Sequence, residues 1–148
     1  MGGNYLNSIL ATQDAKQRGF DEAILLDQSG NVSEAPGENI FLVKNNMLVT
    51  PSLSSSALDG ITRRSIITLA KDMKLKIKTQ KVSKKELKMA DEIFLSGTAA
   101  EITPVIKIDK KKIGEGKVGN ITKLFMATYS DIVMNKSENY SHWLTAVY

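Results

Sequence analysis

The stretch Asn31–Phe41, NVSEAPGENIF, decides how this chain is read. It follows the apolar run Ala23–Leu26 and a turn, Asp27-Gln28-Ser29-Gly30, and it leads into a second apolar run, Ile40–Val43. A carboxylate, Glu34, therefore stands between two strand-like segments suited to burial. Pro36, Gly37 and a further polar pair, Glu38-Asn39, stand beside it. An unmatched polar group inside a sheet core costs roughly a few kcal/mol. A bound ligand or a local polar network is the physical reason to place one there, so Glu34 is the expected centre of a site.

Strands are expected on both sides of Glu34, at Glu22–Leu26, Val32–Ala35 and Asn39–Lys44, with Asn45-Asn46 as a hairpin turn into Met47–Thr50. Before them, Asn4–Arg18 has helical spacing of Leu6, Ile9, Leu10 and Ala15 and stops at Gly19. After them, Pro51–Ser56 is a serine-rich loop. Gly60-Ile61-Thr62 opens a helix running to about Met73, with Ile66, Ile67, Leu69, Ala70 and Met73 as its apolar stripe. Leu75–Gln80 alternates as a strand. Ser83 and Glu86 form a capping box for a helix over Val82–Met89. Asp91–Leu95 is a buried strand ending at the small-residue turn Ser96–Ala100. Glu101–Ile108 returns as a strand broken by Pro104, and Ile121–Met134 is a helix with Leu124, Phe125, Ala127, Ile132 and Val133 inward. Trp143 and Leu144 are expected to dock on the core. Strands dominate the middle and helices flank them, which is an α/β chain of the α+β type with a mixed, strand-rich sheet.

Composition narrows the function. The 148 residues are about one domain long and enough to bury a real core. A hydrophobic share of 42% and a charged share of 24% are ordinary for a globular protein. With no cysteine and one histidine, His142, disulfide, thiol and histidine-rich metal chemistry are excluded, and a reducing, cytoplasmic compartment fits. The +4 charge is concentrated at Lys107–Lys112. No aromatic residues interleave there and no nucleic-acid motif is present, so a solvated hairpin is expected in place of a nucleic-acid face. No run approaches the ~18 apolar residues of a membrane span, and the N-terminus lacks a basic leader.

Three ligand-competent spots stand at the ends of expected elements. Glu34 is one. The Gly60-Ile61-Thr62 helix start is a second, because free N–H groups and the positive end of the helix dipole favour phosphate. The Gly97-Thr98-Ala99 turn is a third, able to bring N–H groups close to a ligand. Each alone is weak, and a helix start is most often a plain cap. Together they describe a ligand with a phosphate, a basic ring nitrogen and a carboxylate-bearing partner. Pyridoxal phosphate with an amino acid fits.

Four stretches in order, GNYLNSIL (3–10), SEAPGENIFLV (33–43), SSALDGITR (55–63) and DEIFLSGTAAEITPV (91–105), resemble the class IV aminotransferases, most closely the branched-chain amino acid group. D-amino acid aminotransferase and aminodeoxychorismate lyase are the near alternatives. The resemblance implies roles. Glu34 matches the carboxylate that pairs with the pyridine nitrogen, where a protonated ring is the better electron sink. Tyr5 matches the tyrosine on the cofactor's phenolic oxygen. Leu58 matches the residue packed on the ring. Ile61, Thr62, Gly97 and Thr98 match the phosphate cradle. Gly37 matches a substrate contact, and the Thr98 and Ala99 N–H groups match the turn that receives the substrate carboxylate.

The same resemblance places the family's Schiff-base lysine just upstream of Met1, so no catalytic residue is assigned in this chain. The expectation is a C-terminal, cofactor-binding domain over residues 1–148, without the N-terminal domain that carries the phosphate-clamping arginine. It would belong to a homo-oligomer that moves the amino group of Leu, Ile or Val to 2-oxoglutarate, and would be inactive alone. A standalone module that binds a phosphorylated ligand or a partner without catalysis is the reading from another class.

Overall fold

The apolar run at the middle of the chain becomes the central strand of a sheet. In the computed structural model, which describes residues 5–146, β1 (Asn39–Lys44) is paired on both edges. β2 (Met47–Pro51) lies antiparallel on one side and β4 (Glu92–Gly97) antiparallel on the other. β3 (Lys76–Gln80) and β5 (Glu101–Pro104) complete a five-stranded sheet in the order β3-β2-β1-β4-β5. Ile40, Phe41, Leu42 and Val43 are all buried, because a strand covered on both faces has no solvent side to alternate towards. The turn into β2 is made by Asn45 and Asn46, with φ of 49° and 57°. Two left-handed residues give the turn whose twist matches a hairpin, and asparagine tolerates that conformation best after glycine.

β2 and β3 run parallel. A parallel pair needs a long crossover, and α2 (Ile61–Asp72) supplies it. Each sheet face carries its own core. Ile40, Leu42, Ile93 and Leu95 point to one, with Val32, Val82 and Leu87. Phe41, Val43 and Phe94 point to the other, against Ile66 and Leu69 of α2 and Phe125 and Ile132 of α4 (Asn120–Val133). Phe94 stacks on Phe41 at 5.1 Å between ring centres and tilts against Phe125 at 5.6 Å. α3 (Lys84–Lys88) begins on the expected capping box, with Ser83 and Glu86 each satisfying the other's backbone N–H. Glu92 of β4 plays the corresponding part for α4. Its carboxylate accepts from the Ile121 N–H (3.1 Å), the Thr122 N–H (2.7 Å) and the Thr122 hydroxyl (2.7 Å).

The lysine-rich segment folds as the expected hairpin, β6 (Lys107–Ile108) and β7 (Lys111–Lys112). Asp109 at its turn meets Lys88 at 3.6 Å. α1 (Leu6–Gln17) packs lightly, with Ala15 its only buried residue. No helix among the described residues is long and apolar enough to cross a membrane.

Several expectations are corrected. Glu22–Leu26 and Val32–Ala35 are not ladder strands: they meet through single bridges, Leu26 to Val32, Val32 to Val82 and Ala35 to Glu38. Their apolar residues are held by a narrow ribbon, with the Leu25 N–H on the Glu34 carbonyl and the Ser33 N–H on the Leu25 carbonyl, so Leu26 stays exposed. On α4, Leu124, Ala127 and Val133 face outward, since the sheet takes only the stripe of Thr122, Phe125 and Ile132. Part of the serine-rich loop, Leu53–Ser55, is a short 3-10 helix. Trp143 packs on the core, while Leu144, 37% exposed, takes no part in it. The expected helix start at Asn4 lies outside the described residues.

Candidate functional site

The site gathers where β1 begins and β4 ends. Asn39 and Ser96 are partners across these antiparallel strands. Glu34 stands half-buried just before β1. One of its carboxylate oxygens, Oε2, accepts from the Leu58 N–H at 2.8 Å and from Asn39 Nδ2 at 3.2 Å. Burial pushes the Glu34 carboxyl above its ordinary range, and the Leu58 N–H, which favours the charged form, works against that shift. A carboxylate poised this way suits a protonated nitrogen, which would restore its charge.

Leu58 also delivers the second spot. Its carbonyl accepts from Asn39 Nδ2 at 2.8 Å, and two residues later Gly60 is the N-cap of α2. No side chain caps this helix, so its first-turn N–H groups remain donors for an anion. A Cβ built on Gly60 would overlap Asn39 Oδ1, so glycine lets the helix start lie directly on the asparagine. Ile61 and Leu58 are 72% and 67% exposed and form an apolar lip. Thr62 is buried, with its hydroxyl 3.5 Å from that of Tyr129 on α4.

The third spot closes the same end of the sheet. Thr98 and Ala99 are the exposed turn between β4 and β5. Gly97 lets the Pro36-Gly37 loop approach: a Cβ there would stand 3.0 Å from the Gly37 carbonyl oxygen and 3.1 Å from Glu38 Cγ. Tyr5 and Gly37 line an open groove of about 420 Å³ between α1 and this loop, together with Ile9, Lys16 and Glu22. Glu38, at the mouth of the site, also titrates high, from burial and then from the nearby Glu22 charge.

Glu34, Leu58, Gly37 and Gly97 are thus linked through direct or adjacent contacts around Asn39, and Ile61 and Thr62 follow at the helix start. Thr98 and Ala99 stand on the next turn, and Tyr5 on the far wall of the groove. Three polar residues of this region are given no site role by the sequence pattern. Asn39 is one. Ser96, whose buried hydroxyl has no partner, is another. The third is Arg63, 4% exposed, which reaches the Asp59 carboxylate (3.3 Å) and the Pro51 carbonyl (3.2 Å) and so ties down the loop carrying Leu58. The polarity of Glu38-Asn39 beside Glu34 is the available signal for the first. Nothing in the spacing of Ser96 or Arg63 marks them.

An ionisable carboxylate is thus joined by one loop to an uncapped helix start, at the open end of a mixed sheet. The amino-transferase class IV family matches residues 2–108, and the chain belongs to that family. It is 47% identical to the probable branched-chain-amino-acid aminotransferase of Aquifex aeolicus (strain VF5), over 100% of this chain and 48% of the relative. It is 45% identical to the branched-chain-amino-acid aminotransferase of Escherichia coli (strain K12), over 99% of this chain and 47% of the relative. Its fold matches the branched-chain amino acid aminotransferase of Thermobaculum terrenum, solved in its PLP-form (holo-form). That match has a TM-score of 0.93 and 38% identity, over 97% of this chain and 47% of that one. The chain spans about half the length of the curated relatives it matches.

Proposed function

We propose that this chain is the C-terminal, cofactor-binding domain of a branched-chain amino acid aminotransferase. The whole enzyme would be a cytoplasmic homo-oligomer that carries the amino group of Leu, Ile or Val to 2-oxoglutarate on pyridoxal 5′-phosphate. The observation that carries this reading is that one residue, Leu58, binds the Glu34 carboxylate two positions before the uncapped start of α2. The residues present fit the group. A carboxylate, a helix end rich in free N–H groups, a partnerless Ser96 hydroxyl and the close Gly60 and Gly97 approaches converge on one end of the sheet.

When bound, the cofactor supplies an electron sink for charge at the substrate's α-carbon. Glu34 would accept the hydrogen bond from the protonated ring nitrogen and keep the proton there. Tyr5 would donate to the phenolic oxygen, and Leu58 would pack on the ring. The Ile61 and Thr62 N–H groups and Thr98 would hold the phosphate. Gly97 keeps that turn close to Gly37, and Gly37 with the Thr98 and Ala99 N–H groups would orient the substrate carboxylate. No lysine in this chain matches the family's covalent attachment point, so the proton transfers at the α-carbon require a residue from outside it.

Two measurements test this. Pyridoxal 5′-phosphate added to the protein should give a saturable absorbance change, weakened about tenfold or more by Glu34→Ala, as expected for losing a hydrogen bond to a charged group. Binding indifferent to both Glu34→Ala and Ile61→Pro would refute the site. The 148-residue polypeptide with the cofactor, leucine and 2-oxoglutarate should show no turnover. Turnover that Glu34→Ala abolishes would refute the need for an outside residue.

A further inference from the structure

We propose that Asn39 is a positioning residue that locks Glu34 to the loop entering α2, so that the carboxylate end and the helix end of the site are set as one unit. This rests on the cofactor reading above for its consequence, and on geometry alone for the lock itself. Asn39 is 5% exposed, and its backbone is held in β1 opposite Ser96. Its amide nitrogen has two hydrogens, and both acceptors within reach are used: Glu34 Oε2 at 3.2 Å and the Leu58 carbonyl at 2.8 Å. The Leu58 N–H closes the ring by donating to the same Glu34 oxygen at 2.8 Å. The amide has one sensible orientation. Turned over, its oxygen would face a carboxylate and a carbonyl, two acceptors with no proton between them. On its other side Oδ1 rests against Gly60, the N-cap of α2.

Few side chains can replace it. Aspartate would set a second negative charge against Glu34. Leucine has a similar shape and no donor. Serine has one donor and a shorter reach. Glu34 would keep only the Leu58 N–H, and the Leu58 carbonyl would lose the side chain that holds it.

The test uses the protein at its full natural length, cofactor-free and loaded, with Asn39→Leu, or Asn39→Ser should the leucine variant not fold. In the cofactor-free protein, amide hydrogen exchange at Leu58 should speed up about tenfold or more while exchange at Leu42 in the sheet stays the same. In the loaded protein the dissociation constant for pyridoxal 5′-phosphate should rise about tenfold. Unchanged exchange at Leu58, or exchange that rises equally at Leu42, would overturn the lock, the latter because it reports general destabilisation. Faster exchange at Leu58 with unchanged cofactor affinity would overturn the positioning role. Faster exchange in a protein whose wild type does not bind pyridoxal 5′-phosphate at all would support the lock and refute the cofactor reading.

Discussion

Gly60→Ala adds one methyl group at the most crowded joint of the site. The backbone tolerates it, since Gly60 has φ −65° and ψ 147°, an extended conformation open to any residue. The new Cβ overlaps Asn39 Oδ1, while its next neighbours, Asn39 Cγ at 3.6 Å and Arg63 Cβ at 3.8 Å, are in ordinary contact. The asparagine amide must therefore turn, which carries Nδ2 away from Glu34 and from the Leu58 carbonyl. One neutral hydrogen bond contributes about 1 kcal/mol and one to a charged group about 1.5–3 kcal/mol. Glu34 is half-buried, so water recovers part of the second. Alanine is also a poorer N-cap than glycine, by about 0.5–1 kcal/mol. The expected loss is about 2–4 kcal/mol in urea unfolding. In an Asn39→Ala background the amide is already gone, and the same substitution should cost less than about 1 kcal/mol, the N-cap preference alone. A cost that is the same in both backgrounds would refute the idea that Gly60 acts through Asn39.

Glu92→Ala should lower stability by about 2 kcal/mol, because the start of α4 loses the carboxylate that accepts two of its N–H groups; thermal melts at fixed pH check this. Phe94→Ala removes the ring that Phe41 and Phe125 both touch and should cost about 3–5 kcal/mol in denaturant. Glu34 has a folded-state pKa above its unfolded one, so the folded protein holds more protons in the window between them and stability falls as pH rises through it. Glu34→Gln should remove that fall and be the more stable protein at neutral pH, with urea midpoints measured from about pH 4 to 8 as the readout. A wild type that gains stability across that window, relative to Glu34→Gln, would contradict the shift.

Much of this protein is legible residue by residue because the signals are local. The Asn45-Asn46 turn declares itself through the rarity of left-handed backbone outside glycine and asparagine. The Ser83–Glu86 box declares itself through the fixed three-residue spacing of a helix start. β1 is recognisable because Ile40–Val43 are four consecutive apolar residues, which leave no polar face. The three spots of the candidate site sit at element ends, and element ends are where local reading is informative. The resemblance to class IV aminotransferases rests on the same stretches.

What could not be read is which surfaces meet. Glu22–Leu26 has the composition of a strand, yet it finds only a bridge partner, since hydrogen-bonding capacity says nothing about who supplies the other edge. Leu124 and Val133 have helical spacing with Phe125 and Ile132, but a sheet covers one narrow stripe of a helix, and the angle of approach selects it. Asn39, Ser96 and Arg63 are polar residues whose burial depends on neighbours 12 to 57 positions away. Local chemistry was enough for most of the elements, for the Asn45-Asn46 turn and the Ser83–Glu86 cap, and for the kinds of group available at element ends. The ring that Glu34, Leu58 and Asn39 close had to wait for the folded sheet. Two of its three bonds span 19 and 24 positions of the chain, and no local pattern records how the sheet brings those segments together.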